Sequence, residues 1–483
     1  MPKLARRLTA VLAPGLLLAG VVAAVGPADA STATTTCPSP IVTGDAVKCG
    51  TLPDGATYLI EVPAHWNKTL FLYSHGYVVP GSANPAQDVG DPVTGGWLLN
   101  HGYALAGSSY ASTGWAIADA LPDQLATLRT FSRLVGRPAR TIAWGHSLGG
   151  IITAGLIQRY PRAFSAALPM CGVLAGGVAT WNTALDAAFA FQQLVDPSIS
   201  VVNIGNPTAN LTAAETALAG AQATADGKAR LALAAALGDT PGWFTPLSAE
   251  PAANDYTAQE ANQYLWDSEV DFPFIFDFRA QLESVAGGNP SWTTGVDFAQ
   301  QLRESADRAE VRALYKAAGL SLGADLRTLQ HAQQITAKPS AVRYLARNIS
   351  FTGRINIPVL TMHTTGDGLV VPENEQAYAS VVRRAGRPFL LRQVFVHRAG
   401  HCAFTPAETI TAAKVLLNRM RTGHWNDASL RPARMNAAAT GLGALYNIYL
   451  SGSNIVPAPA SFTSYHPGPY LRPFDLLRWR FHR

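Results

Sequence analysis

Hydrophobic positions along this chain follow two alternating rhythms, and the switches between them outline a fold. Short apolar, β-rich runs at Thr57–Val62, Thr69–Tyr73 and Tyr103–Gly107 each end in glycine, proline or polar loop residues. Helical patterns lie between and after them; in Asp123–Leu134, Leu125, Leu128, Phe131 and Leu134 share one face. The alternation continues through an apolar run at Thr141–Trp144 and a helical face over Gly149–Arg159 carrying Ile151, Ile152, Leu156 and Ile157. Another short run follows at Ala166–Met170. Strands alternating with helices predict an α/β class, a mostly parallel sheet flanked by helices.

From about Leu174 to Ser350 the strand rhythm stops. This stretch is alanine-rich and helical in pattern, broken at Asn206-Pro207, Pro241-Gly242 and Gly287-Gly288. Strands resume at Ile357–His363, a helix follows from about Pro372 to Arg383, and Phe389–Val396 reads as a further strand. One sheet interrupted by one helical insertion is the simplest account; two independent domains are the alternative. The expected organisation is a core over residues 31–173 and 351–424, a helical insertion over 174–350 and a C-terminal extension over 425–483. Ser451–Arg483 reads as an irregular tail packed on the surface.

At 483 residues, 48% hydrophobic and 14% charged, the chain can bury a large core, which excludes a disordered class. Its net charge of +5 is dispersed, with no basic run interleaved with aromatics, so no nucleic-acid partner is expected. Residues 1–30 stand apart. Lys3, Arg6 and Arg7 precede an apolar run from Leu8 to Val25, and Ala28-Asp29-Ala30 offers small residues for cleavage: the pattern of a secretory signal peptide. An uncleaved anchor is the alternative, though Pro14 and Gly15 break the run. A secreted protein starting near Ser31, with no stable membrane insertion after cleavage, is expected. Export makes an even set of cysteines a set to pair. Cys37 and Cys49 bracket a short segment at the mature N-terminus, which leaves Cys171 for Cys402.

The chemistry centres on Gly145-His146-Ser147-Leu148-Gly149. In a G-x-S-x-G turn the serine takes a strained conformation between strand and helix, tolerable only with small residues two positions to either side. The pentapeptide alone is weak, with about 0.2 chance matches expected in a chain this long. Here, however, an apolar run precedes it and a helical pattern follows. A serine nucleophile needs a base, and the base an acid; in this architecture they follow in the order Ser, acid, His, on loops after late strands. Asp367 stands directly past the run ending at His363, and His401 past the run ending at Val396. Asp367 between Gly366 and Gly368 also suits a simple turn. His397 competes with His401 but sits too close to the strand end, and His363 lies on its strand as a packed residue. Asp271 and Asp277, inside an aromatic part of the insertion, are read as structural. For the oxyanion, N–H groups are expected from Leu148 and from the loop His75-Gly76-Tyr77, through Tyr77 or Gly76. No His-Glu-x-x-His or clustered Cys/His spacing is present, and no metal or cofactor is expected.

The order His75-Gly76, Gly145-x-Ser147-x-Gly149, Asp367, His401 resembles the α/β-hydrolase family of secreted serine esterases and lipases, over roughly Thr57 to Met420. The resemblance implies an α/β-hydrolase fold, with the insertion where that family carries its cap or lid. It also implies hydrolysis of carboxylic esters: Ser147 attacks a carbonyl, His401 passes the proton to the leaving group, and water resolves the acyl-enzyme. His401-Cys402 is similar to the feruloyl esterase and tannase group, where a cysteine beside the histidine is bridged to one beside the serine. This chain departs from that pattern, since His146 precedes Ser147. Cys171, at the end of the strand after the nucleophile helix, offers another bridge to Cys402, which would pin the general base.

Substrates are expected to be small-molecule or polymeric esters. In the insertion, Trp243, Phe244, Trp266 and Phe272–Phe278 could line an acyl pocket or fill the insertion's own core. The alternatives are a secreted serine peptidase of the tripeptidyl or prolyl aminopeptidase kind and a non-catalytic binding protein. A peptidase that holds a substrate ammonium needs carboxylates, which Glu269, Asp271, Asp277 and Glu283 leave open.

Overall fold

The structure, a computed structural model, describes residues 36–451 and 454–474. The signal-peptide region lies outside the described residues. Among the described residues nine strands build one sheet: β1 (Ala46–Thr51), β2 (Thr57–Val62), β3 (Thr69–Ser74), β4 (Ala104–Ser108), β5 (Arg140–His146), β6 (Ala166–Met170), β7 (Val359–Gly366), β8 (Leu391–Ala399) and the short Phe462–Thr463. Their spatial order is β1-β2-β4-β3-β5-β6-β7-β8, and Phe462–Thr463 pairs on the far side of β8. From β4 to β8 neighbours run parallel, whereas β1, β2 and Phe462–Thr463 pair antiparallel at the edges.

Alternation along β3 sorts its side chains between two cores. Leu70 and Leu72 meet α2 (Ile117–Leu134) and α3 (Leu148–Arg159) through Leu121, Phe131, Ile151 and Ile152. Phe71 and Tyr73 face the opposite layer, where Trp97 and Leu98 of α1 (Pro92–Asn100) pack with Ile410 and Leu416 of the helix Pro406–Thr422. Covered on both faces, every residue of β3 is buried. Between β6 and β7 the described chain runs through helices from α4 (Gly177–Leu194) to Pro339–Arg347, with no strand among them. Those helices close on a core of their own, in which Phe189 and Phe191 of α4 meet Leu233, Phe272, Phe276, Phe298 and Tyr315.

Two elements differ from the sequence reading. β1 carries only half-buried or exposed residues, so no apolar run marked it. The C-terminal tail is more than a surface coating: Phe462–Thr463 extends the sheet, and Tyr470, Leu471 and Arg472 are buried. Arg472 donates Nη2 to the Trp292 carbonyl at 2.7 Å, and its Nε lies 3.5 Å from Asp186 of α4. A single ion pair spanning most of the chain leaves no local periodicity, which is why the tail read as irregular.

Candidate active site

Ser147 sits between β5 and α3 with φ 58° and ψ −122°. A non-glycine residue holds such a backbone only where its surroundings enforce it. The enforcement comes from β3. A Cβ on Gly145 would stand 2.3 Å from the Ser74 carbonyl oxygen, and one on Gly149 only 1.9 Å from the same atom. The Ser147 N–H donates to the Met170 carbonyl of β6 at 3.0 Å, fastening the turn from the other side.

Asp367 follows β7 directly and is fully buried. His401, on the loop after β8, donates Nδ1–H to its carboxylate, at 2.8 Å from Oδ2 and 3.0 Å from Oδ1. An ionised carboxylate only accepts, so the imidazole is left with Nε2 as its basic nitrogen. The loop is held in place by Gly400 N–H on the Gly366 carbonyl (2.9 Å) and by the Thr364 hydroxyl on the Gly400 carbonyl (2.8 Å). His401 Nε2 lies 3.4 Å from Cys402 Sγ, and no Ser147–His401 hydrogen bond forms among the described residues. His397, its competitor in the sequence, lies within β8, is exposed, and pairs with Glu250 at 3.1 Å.

Behind Asp367 stands a chain of charged groups that sequence reasoning did not assemble. His363, packed as expected, offers Nδ1 to Glu375 Oε1 at 3.2 Å and Nε2 to the Val370 carbonyl at 2.7 Å, with Asp367 Oδ2 at 3.5 Å. Both ring nitrogens face acceptors, which demands the doubly protonated ring. Burial alone would lower its pKa, but Asp367 and Glu375 outweigh that and push it up to about 10. Burial likewise works to raise the Asp367 pKa, yet His401 and His363 together hold it below the ordinary carboxylate value. The ordinary imidazole value is 6.5, so stability from His363 is fully present below that pH and is lost as pH rises through about 10. Melting curves across this range should therefore show a steeper alkaline loss for the wild type than for His363→Gln, which cannot supply two charged donors. Equal slopes would refute the assignment.

Both disulfides form, Cys37–Cys49 at the edge of the sheet and Cys171–Cys402 across 231 residues of sequence. Cys171 follows β6 and donates its N–H to Met362 of β7 at 2.8 Å, so the second bond ties the residue beside His401 to the sheet centre. On the other side, Arg398 binds Glu408 through both Nη atoms (2.6 and 3.0 Å), and Glu408 closes a capping box with Thr405. Replacing Cys171 and Cys402 by serine should cost about 2–5 kcal/mol of stability. The looser base should also lower kcat more than it raises KM, a split that steady-state kinetics reads directly.

The expected oxyanion groups lie around Ser147. A Cβ on Gly76 would come within 3.5 Å of Ser147 Cβ, and the Leu148 N–H opens α3, where no helical partner exists for it. His75 braces the loop beneath by stacking on Tyr110 at 3.9 Å, and the Tyr110 hydroxyl donates to the His75 carbonyl at 3.0 Å. His146, beside Ser147, is hydrogen-bonded to the Tyr73 hydroxyl at 3.1 Å. Burial, helped by the charge of His401, lowers its pKa to about 4, so it stays neutral at pH 7.

Ser147, Leu148 and Tyr77 open into a cavity whose walls are mainly apolar. Of the insertion aromatics anticipated there, Phe274 lines it together with Ile275 and packs on Tyr77 at 4.9 Å. Phe272 and Phe276 turn instead into the insertion's own core, both against Phe191. Trp266 covers Gly368 beside Asp367, where a Cβ would meet its ring at 2.4 Å. Trp243 packs near His397. Trp181 of α4 and Tyr470 of the tail, neither anticipated, complete the wall.

The strand order, the serine turn between β5 and α3, and an acid and a histidine after β7 and β8 define an α/β-hydrolase fold. The chain has that architecture. No family model matches it. It is 28% identical over 423 residues to an o-phthalyl amidase of Xanthobacter agilis, covering 81% of this chain and 90% of that protein. Among solved structures, an esterase from Aspergillus oryzae aligns with a TM-score of 0.38 and 13% identity, over 84% of this chain and 81% of that one. A rice cell wall degrading esterase, LipA of Xanthomonas oryzae, aligns with a TM-score of 0.33 and 14% identity, over 78% and 89%. The acylaminoacyl peptidase of Pyrococcus horikoshii gives a TM-score of 0.34 and 10% identity, over 74% and 37%.

Proposed function

We propose that the protein is an exported serine hydrolase that cleaves carboxylic esters through an acyl-enzyme on Ser147, His401 and Asp367. The observation that carries this reading is the Asp367–His401 hydrogen bond, which leaves a basic Nε2 on the same side of the sheet as a serine held in strained backbone at the floor of an apolar cavity. In the first step His401 Nε2 takes the Ser147 hydroxyl proton as Oγ bonds to the substrate carbonyl carbon. The carbonyl oxygen becomes the oxyanion, met by the N–H of Leu148 and of Tyr77 or Gly76. Collapse expels the alcohol, which leaves with the proton from His401. Water then repeats the sequence, releasing the acid and restoring Ser147. Two disulfides, and the lack of any helix among the described residues long and apolar enough to cross a membrane, accord with export.

Amide cleavage is the second reading, favoured by the likeness to the amidase across nine-tenths of that protein's length. The same atoms serve it, with an amine leaving in place of an alcohol. Fluorophosphonate labelling, followed by p-nitrophenyl acyl esters of rising chain length against p-nitroanilides of the same acids, separates the two. Ester turnover that outpaces anilide turnover is expected. Anilide turnover alone would shift the assignment to amidase, and absence of labelling would overturn both.

A further inference from the structure

We infer that Asp271 is a binding residue for a positively charged amine, and that the preferred substrates of the Ser147 cavity carry an ammonium group on the part that enters it. This inference rests on the assignment of Ser147 as nucleophile and narrows the substrate class.

Asp271 ends a π-helical turn, Asp267–Asp271, in the insertion, and lines the cavity shared by Ser147, Leu148 and Tyr77. Single π turns recur at functional positions because the extra residue re-aims a side chain. Asp271 is 8% exposed, yet its carboxyl group has no hydrogen bond or ion pair among the described residues. Some buried acids are fully engaged, as Glu283 is by Arg279 and the Asn203 N–H, Glu408 by Arg398 and Asp367 by His401, and others, such as Asp88 and Asp239, keep a buried oxygen without a partner; Asp271 differs from both groups in lining the cavity at Ser147. A buried carboxyl group without a partner costs stability and calls for a reason.

Its surroundings indicate what that reason is. Among the described residues, no lysine, arginine or histidine lines the cavity. Burial, then the neighbouring charges of Asp267 and Asp367, push the Asp271 carboxyl well above the ordinary value. An entering ammonium would be the missing partner, donating a hydrogen bond to the Asp271 carboxyl group and favouring its ionised form. The remaining acids considered for this role do not reach the cavity: Glu269 is exposed, Glu283 is occupied by Arg279, and Asp277 lies outside the lining beside Tyr77.

The test compares a short series of ω-aminoacyl and α-aminoacyl p-nitrophenyl esters with isosteric esters bearing methyl in place of ammonium, using the full secreted protein. A charge-assisted contact is worth enough to favour at least one amine ester by about tenfold or more in kcat/KM. Asp271→Asn, which keeps hydrogen bonding but loses the charge, should bring that ratio close to one, and Asp271→Glu should retain part of it. A wild-type ratio of one or below across the series overturns the inference while leaving the serine-hydrolase assignment intact. So does a preference that survives in Asp271→Asn. Should that variant not fold, inhibition of neutral-ester turnover in the wild type by n-alkylammonium ions, set against the matching alkanols, decides the same question; equal inhibition counts against the inference. No turnover of either ester class and no fluorophosphonate labelling would instead remove the assignment on which it depends.

Discussion

Ser147→Ala should reduce kcat by about 10⁶-fold and abolish fluorophosphonate labelling, since the nucleophile of a serine hydrolase cannot be replaced by water at the same place. The reduction should not come from unfolding. Alanine at 147 inherits the strained backbone of φ 58°, so the melting temperature should stay close to that of the wild type. Ser147→Gly should be equally inactive but more stable, by about 1 kcal/mol or more, because glycine adopts positive φ without strain. The pair of variants separates chemistry from folding. A Ser147→Ala enzyme retaining a tenth of its ester turnover would place the nucleophile elsewhere, and a Ser147→Gly protein no more stable than Ser147→Ala would mean that the turn stores no strain.

The second large effect falls on folding. Gly149→Ala adds one methyl group in the first turn of α3, where helix propensity alone favours alanine by about 1 kcal/mol. The added Cβ would lie 1.9 Å from the Ser74 carbonyl oxygen, 2.6 Å from its carbon and 2.7 Å from the His75 carbonyl oxygen, all backbone atoms at the end of β3 and the start of the loop that follows it. None can swing aside as a side chain does. Either β3 or the serine turn must shift, and the expected cost exceeds about 4 kcal/mol, which overrides propensity. Gly220→Ala is the matching control: it lies in the helix Pro207–Gln222 with nothing within 4 Å of an added Cβ, and should stabilise by about 0.5–1 kcal/mol. Chemical denaturation of both variants checks the contrast. A soluble Gly149→Ala protein as stable as the wild type would contradict the close contact.

How much of this could be seen beforehand follows from the range of each interaction. The strands that carry the site were legible because each is a local apolar run between turn residues. Ala166–Met170 matched its strand to the residue, and Thr69–Tyr73 fell one residue short. Asp367 and His401 were findable because each follows directly on such a run, and their hydrogen bond joins residues 34 apart. The Cys171–Cys402 bond was reached through pairing arithmetic, a constraint that acts at any separation. Three features had no such handle. The link through His363 and Glu375 depends on a helix and a strand packing side by side. Asp271 is one acid among several in the insertion until the cavity shows which of them it contains. Alternate aromatics of Phe272–Phe278 divide between two environments, and composition does not tell which face meets which.

The sequence by itself therefore determined the alternation of strands and helices, the place of the single large insertion, and the serine turn, because periodicity and glycine stereochemistry act over a few residues. Tertiary structure alone decided what surrounds that serine. It brought a tail residue, Tyr470, and an insertion acid, Asp271, to the wall of one cavity, and it fastened Arg472 to Asp186 across the chain. Contacts between distant segments depend on how whole elements pack, and that information is spread over all of them rather than written at either partner.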